Sequence, residues 1–392
     1  MKELIEEIRK IVGNENVSNS DVDKVVYGFD ASFLEGKSIL IVWPRNEKDI
    51  QEIIKLANKE KFNLTIRGGG TGLVGGAVPE NSVVLDLSKM NRIIEINEKE
   101  SYAIVESGVI LDDLNLKLEE KNLLFPIKPS SHAVCTIGGV IATNAAGINA
   151  IKYGKVIDWI IEIEVIMGDG RIKKVSGDEI RIFCGSEGFY GVITKAKLKL
   201  TKPIKKTTIS KLALNNYDEL MRAIKEFKDR AVAIEFIDEM TSGFLGIQST
   251  MHLIAEFEDD SGDIKDEEEI REIWKIRDGI YASLVMNNYS IITDPQVPIE
   301  KLPLFLNEVK KMKKPCFGHV GIGLLHVHFK PDEVNEVDKL YEIVLKMGGK
   351  ITGEHGIGRI KQKFLSNEEK KRILELKKKY DPKNVFGVIE WK

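Results

Sequence analysis

Cysteine is scarce in this chain: Cys135, Cys184 and Cys316 are the only three in 392 residues, they lie far apart, and they form no CxxC pair. An odd and dispersed set builds neither a disulfide framework nor a cysteine-bound iron–sulfur cluster, so a reducing, cytoplasmic setting is expected. Long apolar runs are missing too, and the N-terminal MKELIEEIRKIVG reads as an amphipathic Glu/Lys helix, not as a basic segment followed by an apolar one. No direct membrane span is expected, and any membrane link has to come through a partner. Charge of one sign is also lacking: 58 Lys and Arg against 61 Asp and Glu leave a net charge of -3. That balance predicts no general attraction to nucleic acid or to an anionic membrane. The length suffices for two or three domains, each with its own hydrophobic core.

Glycine, by contrast, is concentrated. The stretch RGGGTGLVGGAVP, Arg67 to Pro79, lies between the apolar runs Phe62 to Ile66 and Val83 to Leu87. Glycines at this density remove the side chains that would keep a bound group off the backbone, and they leave a row of N–H donors free to face a diphosphate. Gly70 to Gly75 also fits GxGxxG, which in a Rossmann site opens a helix. Here Ala77 to Asn81 are followed at once by the β-rich VVLDL, which leaves no room for that helix and argues against nicotinamide binding. The reading is strand, glycine loop, strand. A plain glycine-rich hairpin is the alternative that the loop alone leaves open.

Before the loop, the spacing predicts a helix, a short strand (Ile39 to Trp43) and a helix started at Asn46. After it come short β runs (Arg92 to Ile96, Tyr102 to Glu106), a helix (Leu111 to Lys121), and the turn-rich Phe125 to Gly154. The small polar residues of that last segment suggest a lined groove. A strongly apolar strand (Trp159 to Met167) and a second glycine turn, CGSEGFYG, feeding another strand complete the first half. Lys202 and Pro203 mark the likeliest break in pattern. Beyond them strands and helices alternate, including one helix over Asp266 to Ala282, as expected for helices packed on an antiparallel sheet.

Four of the six histidines fall between His319 and His355. In GHVGIGLLHVHF the alternation of LLHVHF places His326 and His328 on one strand face, and the glycine turn can fold His319 back toward them. In GEHGIG a carboxylate and an imidazole, Glu354 and His355, stand side by side. Two imidazoles and a carboxylate make an open divalent-metal site, so His319, His326 and Glu354 are candidate ligands, for zinc, manganese or iron. The competing reading is of buried histidines that only bridge backbone groups. His355 is then free to act as a base on a substrate hydroxyl, and Arg277 is a candidate partner for a substrate carboxylate, against the ordinary alternative of a surface helix arginine.

Taken together, RGGGTGL, PSSHAVCTIGGVIATNAAG (Pro129 to Gly147), KYG (Lys152 to Gly154), GSEG (Gly185 to Gly188), GHVGIGLLH and GEHGIG resemble the FAD-linked oxidases with a vanillyl-alcohol-oxidase type of flavin domain. The branch most resembled is that of D-lactate dehydrogenases and glycolate oxidase flavin subunits, and the likeness runs over nearly the whole chain. It implies an α+β protein: a PCMH-type FAD-binding domain of two packed α/β subdomains at 1–202, and an α+β cap domain with an antiparallel sheet at 203–392. It puts Arg67, Gly68, Gly69, Gly70, Thr71, Gly72 and Leu73 on the diphosphate. Pro129, Ser130, Thr136, Gly138, Gly139, Ala142, Thr143, Asn144 and Gly147 would follow along the cofactor, with Glu187, Gly188, Val192 and Ile193. Members that attach the ring covalently have a histidine where this chain has Thr71, which implies non-covalent FAD.

The chain also departs from the family pattern. The usual metal turn HxGDGNxH keeps its outer histidines here, but Ile322 and Leu324 replace the Asp and Asn. Positions that hold a Thr, a Lys and an Asn in oxidisers of 2-hydroxyglutarate are Tyr281, Ile292 and His328, and Arg277 is the member retained. Tyr281, His328 and Arg277 are therefore the candidate substrate contacts, and the lost lysine favours a monocarboxylate. The expectation is FAD-dependent oxidation of a D-2-hydroxy acid of the lactate or glycolate type, with electrons leaving to a quinone, a cytochrome, an electron-transfer flavoprotein or an iron–sulfur subunit. Two alternatives stand beside it: a metal-independent FAD alcohol or sugar oxidase, and a non-catalytic flavin-holding subunit.

Overall fold

A computed structural model describes residues 2–32, 34–204 and 206–387. Three sheets organise them. In the first, the strands Lys37–Val42, Glu80–Asp86 and Leu64–Arg67 run parallel in that spatial order, with Val17–Ser18 antiparallel at one edge. The helix Glu47–Glu60 covers it. Asn46 caps this helix by accepting from the Asp49 amide, and Ile50, Ile53, Ile54 and Ala57 form its buried stripe.

The parallel pairing of Leu64–Arg67 with Glu80–Asp86 excludes the hairpin alternative. Parallel neighbours need a crossover of about a dozen residues, commonly a helix. Here residues 68–79 cross back as an extended glycine loop, and the backbone lies open along the sheet end.

The second sheet is antiparallel, in the order Ile93–Asn97, Tyr102–Glu106, Gly191–Lys199, Ile160–Met167, Ile172–Ser176. Against it packs Ile137–Thr143, a short helix within the segment read as turn-rich. Thr136 caps it through the Gly139 amide at 3.2 Å. The helix is only seven residues long and has two adjacent glycines, so its buried Ile137, Val140 and Ile141 give less than two turns of pattern to read.

The third sheet has six strands, in the order Thr208–Leu214, Met251–Phe257, Ala231–Ile237, Cys316–Gly318, His326–Phe329, Ile291–Ile292, all neighbours antiparallel. Helices Tyr217–Phe227, Leu302–Met312 and Val334–Lys346 bury one face. The other face carries Glu267–Asp278 and Ile280–Met286, two helices separated at Gly279 where the sequence reading has one.

The sheets divide near residue 203, but the chain end does not stay with the third. Helix Asn367–Tyr380, opened by a Ser366/Glu369 capping box, returns to the first half, where Tyr380, Val385 and Phe386 join the cores of the first two sheets. The Leu64 amide donates to the Val385 carbonyl at 2.8 Å. Buried Asp381 locks this return: it accepts from the Val385 and Phe386 amides, both at 2.9 Å, and pairs with Lys377 at 2.8 Å. Asp381→Ala takes the counter-charge from the buried Lys377 ammonium, which keeps only the Phe189 and Phe386 carbonyls, and leaves two buried amides without their acceptor. It is expected to destabilise the fold by about 3–5 kcal/mol in urea unfolding, and a loss below about 1 kcal/mol would show that the clamp is dispensable.

Candidate active site

A cavity of about 560 Å³ runs from the glycine loop to the third sheet. Its walls include Arg67 through Leu73, Pro129, Ser130, Thr136, Gly138, Gly139, Ala142, Thr143, Gly147, Glu187, Gly188 and Ile193, all proposed from sequence as cofactor contacts. Among the described residues, the amides of Gly69 through Leu73 donate to no protein acceptor. Their row of free donors fits a diphosphate. The loop is glycine-rich for a second reason as well. A Cβ on Gly68 would sit 2.2 Å from Thr136 Oγ1, and one on Gly69 would sit 2.3 Å from the Val134 carbonyl. Close approach to the neighbouring wall thus shapes it as much as any ligand does.

Three sequence assignments lie off the cavity wall. Val192 is fully buried in the first core, and Asn144 ends the helix Ile137–Thr143 in a left-handed turn and accepts from the Ile157 amide. His328 lies behind Phe317 and Tyr281, with ring centroids 5.6 and 6.0 Å away, and donates to the Tyr289 carbonyl. Burial lowers its pKa to about 3, so it is neutral. Tyr281 and Ile292 do line the cavity.

At the far end His319, His326, Glu354 and His355 converge. One ligand atom from each of His319, His326 and Glu354 lies within 4.8 Å of the others. His319 Nε2 is 3.9 Å and His326 Nε2 3.3 Å from Glu354 Oε1. The outer nitrogens are held elsewhere: His319 Nδ1 meets Glu235 Oε1 at 2.5 Å, and His326 Nδ1 faces the Thr293 carbonyl at 3.4 Å. Both rings therefore turn an Nε2 lone pair toward one point, and the donor set fits a divalent cation. The ring of His355 stacks on that of His326 at 5.3 Å. His355 Nε2 lies 3.6 Å from Glu354, and its buried Nδ1 has no hydrogen-bond partner.

Arg277 is not a surface arginine: it is 5% exposed and lines the cavity, with its guanidinium over Phe317. Its Nε and Nη2 donate to Glu235 Oε2 at 2.9 and 2.7 Å. Burial raises the pKa of Glu235, but His319 and Arg277 outweigh it and hold the carboxyl near about 2.

The turn that carries Glu354 and His355 hangs on two carboxylates. Asp294 Oδ2 accepts from Thr352 Oγ1 (2.8 Å) and from the amides of Gly353 (3.0 Å), Glu354 (2.9 Å) and His355 (2.8 Å), while Oδ1 pairs with buried Lys361. On the other side Glu187, in a left-handed conformation, accepts from the amides of Ile357 (2.7 Å) and Gly358 (2.9 Å). Lys155 donates to the Gly353 carbonyl. Leu324, at the position of the family's Asn, packs under the turn, where a Cβ on Gly353 would lie 2.3 Å from its Cδ1. The sequence reading missed Asp294, Glu235, Lys361 and Lys155, and only the GEHGIG turn itself carried a signal that something had to hold it.

The cavity and cluster offer room and free amides for an elongated, diphosphate-bearing cofactor beside an antiparallel sheet that carries histidines and carboxylates, a combination that suits an oxidoreductase. Residues 38–176 match the family described as "FAD binding domain", and residues 253–387 match "FAD linked oxidases, C-terminal domain". The chain belongs to the FAD-linked oxidases, with a PCMH-type FAD-binding domain. It is 29% identical to the glycolate oxidase subunit GlcD of Bacillus subtilis (strain 168), over 98% of this chain and 96% of that one. It is 29% identical to a D-lactate dehydrogenase of Archaeoglobus fulgidus, over 90% of each. A D-2-hydroxyglutarate dehydrogenase of Stutzerimonas stutzeri (strain A1501) is also 29% identical, over 98% and 97%. Among solved structures, alkyldihydroxyacetonephosphate synthase superposes with a TM-score of 0.75 at 15% identity, covering 100% of this chain and 85% of that one, which supports the fold alone.

Lys361 and the turn amides outweigh burial and bring the Asp294 pKa from an ordinary 3.8 to about 2. A carboxyl more acidic in the folded state stabilises it fully above about pH 5, and that contribution fades as the pH falls toward 2. Asp294→Asn is expected to cost about 3–5 kcal/mol near neutral pH, because Lys361 loses its buried counter-charge, and to flatten the acid limb of stability against pH. An acid limb unchanged from the parent protein would show that Asp294 is not its source.

Proposed function

We propose that this protein oxidises a D-2-hydroxy monocarboxylate, of the D-lactate or glycolate type, to the 2-oxo acid. The observation that carries the reading is the convergence, at the inner end of the FAD cavity, of Arg277, the His319/His326/Glu354 set and His355. FAD, when bound, supplies the acceptor for the α-hydrogen and its electron pair. Arg277 pairs the substrate carboxylate through the donors that Glu235 does not take. His319, His326 and Glu354 would hold a divalent ion, zinc, manganese or iron, which there supplies a Lewis acid for the hydroxyl. His355 stands beside them and takes the hydroxyl proton. Phe317, Tyr281 and Ile292 wall the remaining space with apolar or aromatic surface, which suits a short side chain and disfavours a second carboxylate.

The electrons then pass to a separate acceptor, a quinone, cytochrome, electron-transfer flavoprotein or iron–sulfur subunit. No helix among the described residues is long and apolar enough to cross a membrane. The three buried free thiols support a reducing, cytoplasmic setting, with any membrane contact made through that acceptor.

A second reading has one observation in its favour. Glu354 already has three imidazole nitrogens within 3.9 Å, so the cluster could balance its own charge and serve a metal-independent FAD oxidase. An anaerobic absorbance titration decides between them. D-lactate or glycolate is expected to bleach the flavin band and L-lactate is not, with bleaching lost on chelation and restored by one equivalent of metal. Bleaching indifferent to chelation selects the second reading, and no bleaching with a wide hydroxy-acid panel selects a non-catalytic flavin subunit.

His355→Ala is expected to lower the anaerobic reduction rate by about 10²–10⁴-fold with the flavin still bound. A reduction rate within about threefold of the parent protein sinks the role of His355.

A further inference from the structure

Glu235 lies in the strand Ala231–Ile237, is 1% exposed and does not line the cavity. Its two oxygens serve two different parts of the site. Oε2 receives both donors of Arg277, and Oε1 receives His319 Nδ1. The arginine comes from the helix Glu267–Asp278 and the histidine from the turn after the strand Cys316–Gly318. One buried negative charge is therefore shared between the proposed carboxylate-binding group and a proposed metal ligand.

That sharing has a consequence. A cation on His319 Nε2 polarises the ring, makes Nδ1–H a stronger donor, and draws the Glu235 charge toward His319. Arg277 is then less fully neutralised and holds an incoming carboxylate more strongly. By linkage the reverse holds by the same factor: a carboxylate on Arg277 frees Glu235 for His319 and tightens the cation. We propose that Glu235 is a positioning residue that couples the two sites, so that a divalent cation and a substrate carboxylate each strengthen the binding of the other. The proposal rests on the two sites assigned under Proposed function, but not on turnover.

The test is an equilibrium measurement on the FAD-loaded, oxidised protein. Zinc affinity is read by competition with a chromophoric chelator, with and without saturating propionate, which has the carboxylate but no 2-oxygen to reach a cation. Propionate is expected to tighten zinc by about fivefold or more, within the usual range of site coupling, and zinc to tighten propionate equally. Glu235→Gln is expected to weaken zinc by about 10–100-fold, as loss of a ligand's outer partner does, and to bring the propionate effect within twofold of unity. Should that variant not fold, Glu235→Asp, whose shorter carboxylate cannot span both partners, is expected to lose the coupling as well. A merely structural role would weaken both ligands yet leave their ratio at the parent value, and that result overturns the proposal. So does a parent ratio within twofold of unity, or no zinc uptake at all. Flavin that stays oxidised with every hydroxy acid while the ratio holds would overturn the proposed activity and leave this coupling standing.

Discussion

The site depends on one carboxylate without exposed surface. Asp294 gathers three consecutive amides and a hydroxyl on one oxygen and an ammonium on the other. A turn as glycine-rich as Gly353–Gly358 has many conformations to lose, and nothing in its own sequence selects one. Asp294 selects it from outside, and Glu187 holds the following residues from the opposite subdomain. The backbone of Glu354 and His355 is thus placed by hydrogen bonds from outside the turn, and among the described residues their side chains meet only the other members of the cluster and, for His355, Asp294 at 3.6 Å. Their side chains stay available for chemistry because other groups do the holding.

The same division recurs at Glu235, which fixes His319 and Arg277 by their outer atoms and leaves the inner ones facing the cavity. Around the pocket buried Asp294 pairs with Lys361 and buried Glu235 with Arg277, while Glu354 meets His319, His326 and His355. Each pair taken alone is weak evidence for stability, since desolvation offsets most of the attraction. Arg277, Glu354 and the three histidines line the cavity, and Asp294, Glu235 and Lys361 stand behind them.

The parts legible in the sequence were those with local patterns. The glycine loop, the strand alternation of LLHVHF, the capped helix at Asn46 and the strand Ala231–Ile237 all show in short-range spacing. Absence of a helix after Gly76 sufficed to set aside a Rossmann site. Asp294 and Glu235 were illegible because their partners lie 58–67 and 42–84 residues away, and neither sits in a motif. A lone carboxylate in a strand or before a proline gives no sign that it will be buried. His328, read as a substrate contact from its place at the family's Asn, stands off the cavity wall because Phe317 and Tyr281 lie against it, which a position in a motif does not show.

The altered turn HVGIGLLH bears on what kind of site this is. Loss of Asp and Asn from the family pattern removes hydrogen-bonding groups, which would free the turn if those groups were its only restraint. Here Leu324 is fully buried, and the Ile322 carbonyl accepts from Gln296 at 2.8 Å. Gly323 keeps the left-handed φ of 70° that closes the turn. The Val297 amide donates to the Gly323 carbonyl at 2.9 Å and the Leu325 amide to the Pro295 carbonyl at 3.0 Å, so the turn that presents the outer histidines is held by hydrogen bonds as well as by packing. The packing of Leu324 is non-directional and tolerates volume-conserving change, whereas the hydrogen-bond geometry around Asp294 does not. The two turns of the site therefore differ in what holds them: one combines apolar packing with backbone hydrogen bonds, the other hangs on buried charge, and the chemistry sits where they meet.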